Sequence, residues 1–304
     1  MPREFDPVSL RLFVAICEEG HIARAAQREA LVPSALSKRL AALEAQVGTP
    51  LLRRARRGVE PTAAGHALLR QSRELLAAMA RMHAELSDFA AGVQGSVRVV
   101  ASMSALAGQL PEDVAGFIAR HPAVRITLDE RAGREVVREV REGGADLGLA
   151  WDRVDAPGLQ VQPYRSDRLA VAMPLGHPLA AREGQADGLR FADLLDFPQV
   201  GIVPGGLLDQ LLRQQAALLG RDYAPRMQVA SLEAGARIVA AGLGLAILPV
   251  EAFAPQAPTL GLRLCPLQEP WAHRRLLLLT RDDRWLSAPA RALLAHLAEA
   301  AQAD

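Results

Sequence analysis

Basic side chains gather near one end of this chain. Between residues 20 and 60, Arg24, Arg28, Lys38, Arg39, Arg53, Arg54, Arg56 and Arg57 oppose only Glu29, Glu44 and Glu60, a local charge of +5. The whole 304-residue chain carries only +1. Charge concentrated in this way is suited to phosphate groups. Lys38 is the single lysine among 35 basic residues; the arginine excess reads as GC-rich coding bias. Reactive constellations are absent elsewhere. No serine lies in a Gly-x-Ser-x-Gly elbow, no phosphate-binding loop is present, and the seven histidines fall at no metal-ligand spacing. An enzyme is therefore not expected, and neither a metal nor a cofactor is implied. Cys17 and Cys265 sit among apolar neighbours and read as reduced, buried thiols. Gly242-Leu-Gly244 follows a helical pattern and leads into an apolar strand, so it is no dinucleotide fingerprint.

Three short helices and a hairpin must position the basic cluster. Leu10, Phe13, Val14 and Cys17 recur at helical spacing, and Gly20 can stop that helix. A second helix over about 22–29 offers Ala25 and Ala26, small enough for close helix approach. A third starts at Pro33, buries a stripe of Leu36, Leu40, Leu43 and Val47, and ends at Gly48. Two helices on a tight turn form a helix-turn-helix pattern. Residues 51–61 put four arginines before Gly58 and read as a hairpin or wing. From Thr62, a candidate N-cap, a helix runs to about Ala91. Its apolar seam, Leu68, Ser72, Leu75, Met79, Met82, Leu86 and Phe89, follows heptad spacing. Such a seam either packs on its own domain or pairs with a second copy. Pairing is favoured because the flanking segments look self-contained and would leave the stripe exposed.

Beyond residues 92–95 the pattern alternates strand and helix. Strands are predicted at Ser96–Ala101, Val124–Asp129, Ala145–Ala150, 169–174, 199–203, 226–230, 245–248, 262–265 and 275–281. Helices are predicted at 104–120, 133–142, 206–219, 231–241 and 287–302. This is α/β patterning with mainly parallel sheets. The longest apolar run, Ile238–Val250, is about half of the ~20 residues a membrane helix needs. The first residues, Met1-Pro2-Arg3-Glu4, show no signal peptide, so a cytoplasmic protein is expected.

The stretch Phe13–Gly48, with its continuation Thr49–Leu69, resembles the helix-turn-helix of LysR-type transcription regulators. The similarity continues through GSVRVVAS (95–102), FIARHPAVRITL (117–128), GGADLGLAW (143–151), GHPLA (176–180) and GLGLAILP (242–249). His21-Ile22 stand where the family often has Ser-Phe, and Val32-Pro33-Ser34 where it commonly has Ser-Gln-Pro. Gly206-Leu-Leu-Asp209, with Pro204-Gly205 before it, differs from the Ser/Thr-rich loop that many members present.

The resemblance implies a multidomain chain. Residues 1–61 would form an all-α winged helix-turn-helix and 62–91 a dimerising linker helix. Residues 96–304 would form an α/β two-lobed domain like periplasmic binding proteins. Lobe I would comprise 96–165 and 267–304, and lobe II 166–266, with the chain crossing near Pro163–Asp167 and Cys265–Gln268. The family's DNA-contact positions fall here on Pro33, Ser34, Ser37 and Lys38. Arg53, Arg54, Arg56 and Arg57 on the wing would hold phosphates or enter the minor groove. The implied partners are double-stranded promoter DNA with a pseudo-palindromic site, a homodimer or homotetramer, and RNA polymerase. A small-molecule effector would bind where strand ends meet, at Ser102, Ser104, Arg131, Trp151, Gly201, Pro204, Gly205, Ser231 and Glu233. Ser102 and Ser104 at a helix start favour an anion, Arg131 adds charge and Trp151 a stacking face, so a small carboxylate is expected. Two rivals remain: a solute carrier, which would need an export signal, and a thiol-based regulator, which would need Cys17 and Cys265 to meet.

Overall fold

The computed structural model describes residues 4–56, 58–90, 95–182 and 188–302. The chain divides into two compact units, residues 1–95 with 142–144, and residues 96–141 with 145–304.

In the first unit, α1 (Pro7–Glu19) starts where the Asp6 carboxylate accepts the N–H groups of Val8 and Ser9 at 3.1 Å. It stops at Gly20, whose φ of 64° few other residues adopt cheaply. Next, α2 (Ile22–Arg28) begins at His21 without a side-chain cap. A sharp turn follows, with Ala30 at φ 54°, and α3 (Pro33–Val47) begins at Val32, again without a cap. Leu12, Ala15, Ile16, Ala25, Ala26 and Leu36 fill the space between these helices. The small side chains of Ala25 and Ala26 are fully buried. The wing is an antiparallel pair, β1 (Leu52–Ala55) with β2 (Gly58–Pro61). Glu44 on α3 fastens it by accepting the N–H groups of Leu51 at 2.7 Å and Leu52 at 3.2 Å. Thr62 caps α4 (Ala63–Ala90) by accepting the Gly65 N–H at 3.0 Å. Leu68 packs against Leu10, Phe13, Leu43 and Leu51. Farther along the seam Ser72 is buried, whereas Leu75, Met82 and Leu86 are exposed. Phe89 lies on α4, but its side chain is outside the described residues.

The second unit runs β3 (Ser96–Ala101), α5 (Met103–Ala107), α6 (Leu110–Arg120), β4 (Arg125–Glu130), α7 (Gly133–Arg141), β5 (Leu147–Trp151) and β6 (Gln160–Pro174). It continues α8 (Phe191–Leu194), β7 (Val200–Ile202), α9 (Leu207–Leu218), β8 (Met227–Val229), α10 (Leu232–Ala240), β9 (Ala246–Pro249) and α11 (Val250–Phe253). It closes with β10 (Leu262–Pro266), β11 (His273–Thr280) and α12 (Ala288–Gln302). The single helix predicted over 104–120 is two helices. Pro111 sits near the start of α6, where a missing N–H is harmless, and the chain breaks before it at Gly108.

The sheets are mixed, which corrects the expectation of mainly parallel ones. β3 pairs in parallel with β4 and β5, and β7 with β8. β11 is antiparallel to both β5 and β6, and β6 is antiparallel to β9 and β10. Strand–helix alternation sets parallel pairing within a lobe; a strand that passes between lobes runs against its neighbours. β6 is that strand. Val97, Val99, Leu147 and Leu149 pack on one side against Phe117, Leu293 and Leu297. Val100 and Ala150 face Val136, Val137 and Val140 on the other. Farther along β6, Leu169, Val171 and Met173 pack with Leu194 and Leu212. Ala172 packs with Ala236, Val239 and Leu248. Each fully buried large apolar side chain contributes about 1.5–3 kcal/mol. Cys265, Leu267 and Ala272 belong with Leu169 and Val171, while Leu276 and Leu278 belong with Val97 and Val99. The chain therefore returns between Ala272 and Leu276, later than residues 265–268.

At the crossing, Tyr164 and Arg165 of β6 stand opposite the single residue Leu276 of β11, a β-bulge. Asp113 pins it. The Arg165 guanidinium donates to that carboxylate twice, at 3.1 and 2.9 Å, and the Tyr164 hydroxyl donates to it as well.

Candidate functional site

The helix-turn-helix face and the wing carry the basic cluster. Pro33, Ser34, Ser37 and Lys38 are all exposed on the first turns of α3, opposite the buried Leu36 and Leu43. Much of the +5 is already neutralised locally. Arg24 and Arg28 pair with Glu18 and Glu19, Arg39 with Asp6 at 3.0 Å, and Arg53 with Glu60 across the hairpin at 2.9 Å. Exposed pairs of this kind are weak and exchange readily. Lys38, Arg54 and Arg56 are exposed, and none forms an ion pair among the described residues. Arg57 lies outside the described residues. The uncommitted cations thus sit on the start of α3 and on the wing, where an anionic backbone could neutralise them without first breaking a pair.

A cavity of about 310 Å³ opens in the second unit. Ser102, Ser104, Arg131 and Trp151 line it from the β3, β4 and β5 ends, and Gly205 from the loop before α9. Across it stand Ile202, Val203, Leu207, Leu208 and Leu232. Val203 holds φ 50°, a strained conformation for a β-branched residue, and Gly205 holds φ 74°. Four expected residues do not line it. Gly201 sits within β7, where an added Cβ would meet Pro225 at 2.9 Å. Pro204 is exposed. The Ser231 hydroxyl caps α10, accepting the Ala234 N–H at 3.4 Å. Glu233 pairs with Arg237 at 2.9 Å, one turn along the same helix.

One of the residues that do line the cavity is already committed, and the helix behind two others is short. Arg131 donates to Glu139 at 2.7 Å, and that hydrogen bond raises its pKa. Helix α5 has five residues, too few to build a useful dipole behind Ser102 and Ser104. What remains at Ser102 is sharper: its hydroxyl oxygen is buried without a hydrogen-bond partner.

The strongest polar group of the cavity is one the motifs did not single out. Arg274 of β11 is 5% exposed and lines the cavity with its guanidinium carbon 5.0 Å from the centre of the Trp151 ring. It pairs with Asp167, itself 3% exposed. Its Nε has no partner, and neither does Asp167 Oδ1. Burial pushes the Asp167 carboxyl up to about 6, with Arg274 pulling the other way and Glu251 adding to the rise. Burial lowers the Arg274 guanidinium, so both charges are held out of water. Residue types gave no local signal, because His273-Arg274-Arg275-Leu276 does not alternate polar with apolar; only in the folded strand do exposed and buried residues alternate and set Arg274 inward with Leu276. Arg134 also lines the cavity, exposed and without an ion pair among the described residues.

No group of metal-binding side chains occurs among the described residues. Cys265 is buried and Cys17 partly so, with burial pushing the Cys17 thiol up to about 12. A thiol at that value is almost wholly protonated near neutrality and a poor nucleophile. In the native protein both thiols are expected to resist iodoacetamide at about pH 7.5, and both are expected to react in denaturant. Mass spectrometry of the intact chain distinguishes the two states.

Two family models match this chain. "Bacterial regulatory helix-turn-helix protein, lysR family" covers residues 8–66, and "LysR substrate binding domain" covers residues 90–302. A relative from Mycobacterium leprae, "Probable hydrogen peroxide-inducible genes activator", is 28% identical over 297 residues, covering 95% of this chain and 92% of that one. The "HTH-type transcriptional regulator BenM" of Acinetobacter baylyi is 26% identical over 264 residues, covering 86% and 85%. Full-length CbnR, solved in complex with its target DNA, superposes with a TM-score of 0.62 at 22% identity, covering 98% of this chain and 99% of that one. No helix among the described residues is long and apolar enough to cross a membrane. The chain belongs to the LysR family, as a transcription regulator with an N-terminal helix-turn-helix and a C-terminal effector-binding domain.

Proposed function

We propose that this cytoplasmic regulator reads DNA with Ser34, Ser37 and Lys38 at the start of α3, entered through Pro33. Arg54, Arg56 and the neighbouring Arg53 and Arg57 hold the backbone from the wing. The observation that carries this reading is the pattern of commitment: Lys38, Arg54 and Arg56 are exposed and unpaired among the described residues, while Arg24, Arg28 and Arg39 are paired. Lys38 can donate to guanine O6 and N7, and the two serines can donate or accept. The exposed Leu75, Met82 and Leu86 give α4 an apolar stripe that a second copy would cover. Two heads so joined would read a pseudo-palindrome. Higher assembly to a tetramer and contact with RNA polymerase belong to the same reading.

The cavity beside Ser102, Trp151 and Arg274 is the effector site in this proposal, and the effector is a small carboxylate. Its apolar walls and few convergent polar groups are typical of small-molecule sites. Effector and DNA would then influence each other's affinity reciprocally. A thiol-based peroxide response, suggested by the names of some relatives, finds no reactive cysteine here.

Lys38→Ala is expected to weaken a selected site by about 1–3 kcal/mol and to relax preference at one base position. Arg56→Ala should weaken all sequences about equally and flatten the salt dependence by roughly one unit. Binding titrations on matched and mismatched duplexes across a salt series check both. An unchanged base preference in Lys38→Ala would place the reading face elsewhere.

A further inference from the structure

The ion pair of Arg274 and Asp167 does more than hold two strands together. Arg274 lines the effector cavity, while Asp167 lines a second cavity of about 430 Å³ together with Glu251 and Arg275. The pair therefore lies between two open spaces at the crossing of the lobes. It is incompletely satisfied on both sides: Arg274 Nε and Asp167 Oδ1 have no hydrogen-bond partner, and neither has the hydroxyl of Ser102, which lines the same cavity as Arg274. A buried guanidinium with an unused donor and a buried hydroxyl with no partner form a receptor for a carboxylate.

Charge balance sets the protonation state of the occupied site. A carboxylate at Arg274 would place two anions on one buried cation; Arg131 is committed to Glu139, and Arg134 is exposed and screened by water, so neither offsets much of the excess negative charge. Like charges so close cannot both stay ionised, and one must take a proton. The ligand is a free acid of ordinary strength. Asp167 is desolvated, stands beside Glu251, and already has its carboxyl pushed up to about 6. Asp167 is the one that yields. The other charged and titratable groups around it are Arg275 on β11, Glu251 on α11, and Tyr164, Arg165 and Arg168 on β6, with Asp152 acting on Arg274. Arg165 is committed to Asp113, Arg168 to Glu251, and Arg275 lies 3.9 Å from Asp152, so none is free to replace Arg274.

We propose that the cavity binds a small acid with an apolar body through Arg274 and Ser102, and that Asp167 takes up one proton from solvent as it binds. This rests on the cavity being the effector site. It makes effector affinity, and with it the regulatory response, a function of pH near neutrality. Affinity should weaken by up to about tenfold per pH unit as pH rises from about 6, because each bound ligand then brings a proton with it.

The test is isothermal titration of the full-length protein with benzoate and with hexanoate, two acids of different apolar shape. Measurements at pH 7 in two amine buffers of different ionisation enthalpy count the protons taken up. The expected results are close to one proton per site and the stated fall in affinity with rising pH. In Asp167→Asn the count should drop to zero and the pH dependence should vanish. Binding without proton uptake, or failure of both acids to bind at tens of millimolar, would overturn the proposal. Ser102→Ala, Arg274→Gln and Gly133→Leu locate the failure, since a Cβ added at Gly133 would already meet Val154 at 2.9 Å and Leu207 at 3.0 Å, and a larger side chain would crowd the cavity that Gly133 and Leu207 both line. Binding lost only in Gly133→Leu would keep the cavity and remove Arg274 from its role. Binding indifferent to all three would remove the cavity itself. Should Arg274→Gln not fold, the proton count of the unaltered protein and of Asp167→Asn still decides.

Discussion

Gly58→Ala is expected to abolish a properly formed wing, costing roughly 2–4 kcal/mol and lowering DNA affinity at least about tenfold. Gly58 starts β2 at φ 110°, a conformation that side chains rarely adopt. An added Cβ would sit 2.1 Å from the Gly20 carbonyl oxygen and 3.0 Å from the His21 ring. The Gly20 carbonyl cannot simply retreat, because it also accepts the Val59 N–H at 2.8 Å. That bond ties the wing to the end of α1. Displacing it would move Arg54 and Arg56 relative to α3. Circular dichroism melts and DNA titrations of the full-length variant measure the two effects. Unchanged DNA affinity would mean that the wing arginines take no part in binding.

Arg274→Met should destabilise the second unit by about 3–5 kcal/mol, because it leaves Asp167 buried and unpaired. Adding Asp167→Asn should restore most of that loss. The single variant should also show a stronger pH dependence, of the same sign as the unaltered protein's, in which the Asp167 carboxyl is already pushed up to about 6. Its folded Asp167 pKa, freed from the lowering effect of Arg274, lies above the value of about 6 that the pair gives it. The folded state then binds the proton more tightly than the unfolded state. Stability should therefore be lost as pH rises through that folded value and regained as pH falls below it. Denaturant midpoints from pH 5 to 8 for both variants test this. A double variant no more stable than the single one would show that the pair is not coupled as described.

Local patterns were legible where one element settles its own fate. The stripe Leu36–Leu40–Leu43–Val47 marks α3, and Gly48 ends it at φ 77°. Ser96–Ala101 forms a strand over the expected residues. The Thr62 cap is present as its residue type suggested. What escaped depends on distant partners. The direction of β6 and β11 is decided by a crossing between lobes, which strand–helix alternation does not encode. Arg274 stands among polar neighbours in sequence, its inward face shows only in the folded strand, and its partner Asp167 is 107 positions away with nothing local to connect them. Ser231 and Glu233 look available in sequence, yet neither lines the cavity: one caps α10 and the other pairs with Arg237 along it. Arg131 looks like a free cation until Glu139 is seen beside it. Residue type sets what a side chain can do; only its neighbours set what it has left to do.

As a member of the LysR family, this chain is expected to read DNA sequence as a pair. The most direct test of this is selection of bound sequences from random duplex DNA by the purified full-length protein at ~150 mM salt, where non-specific binding is suppressed. The expected result is an enriched motif with dyad symmetry, its half-sites separated by about one helical turn or a multiple of it. Retention of all sequences alike, with and without carboxylate ligands, would contradict it.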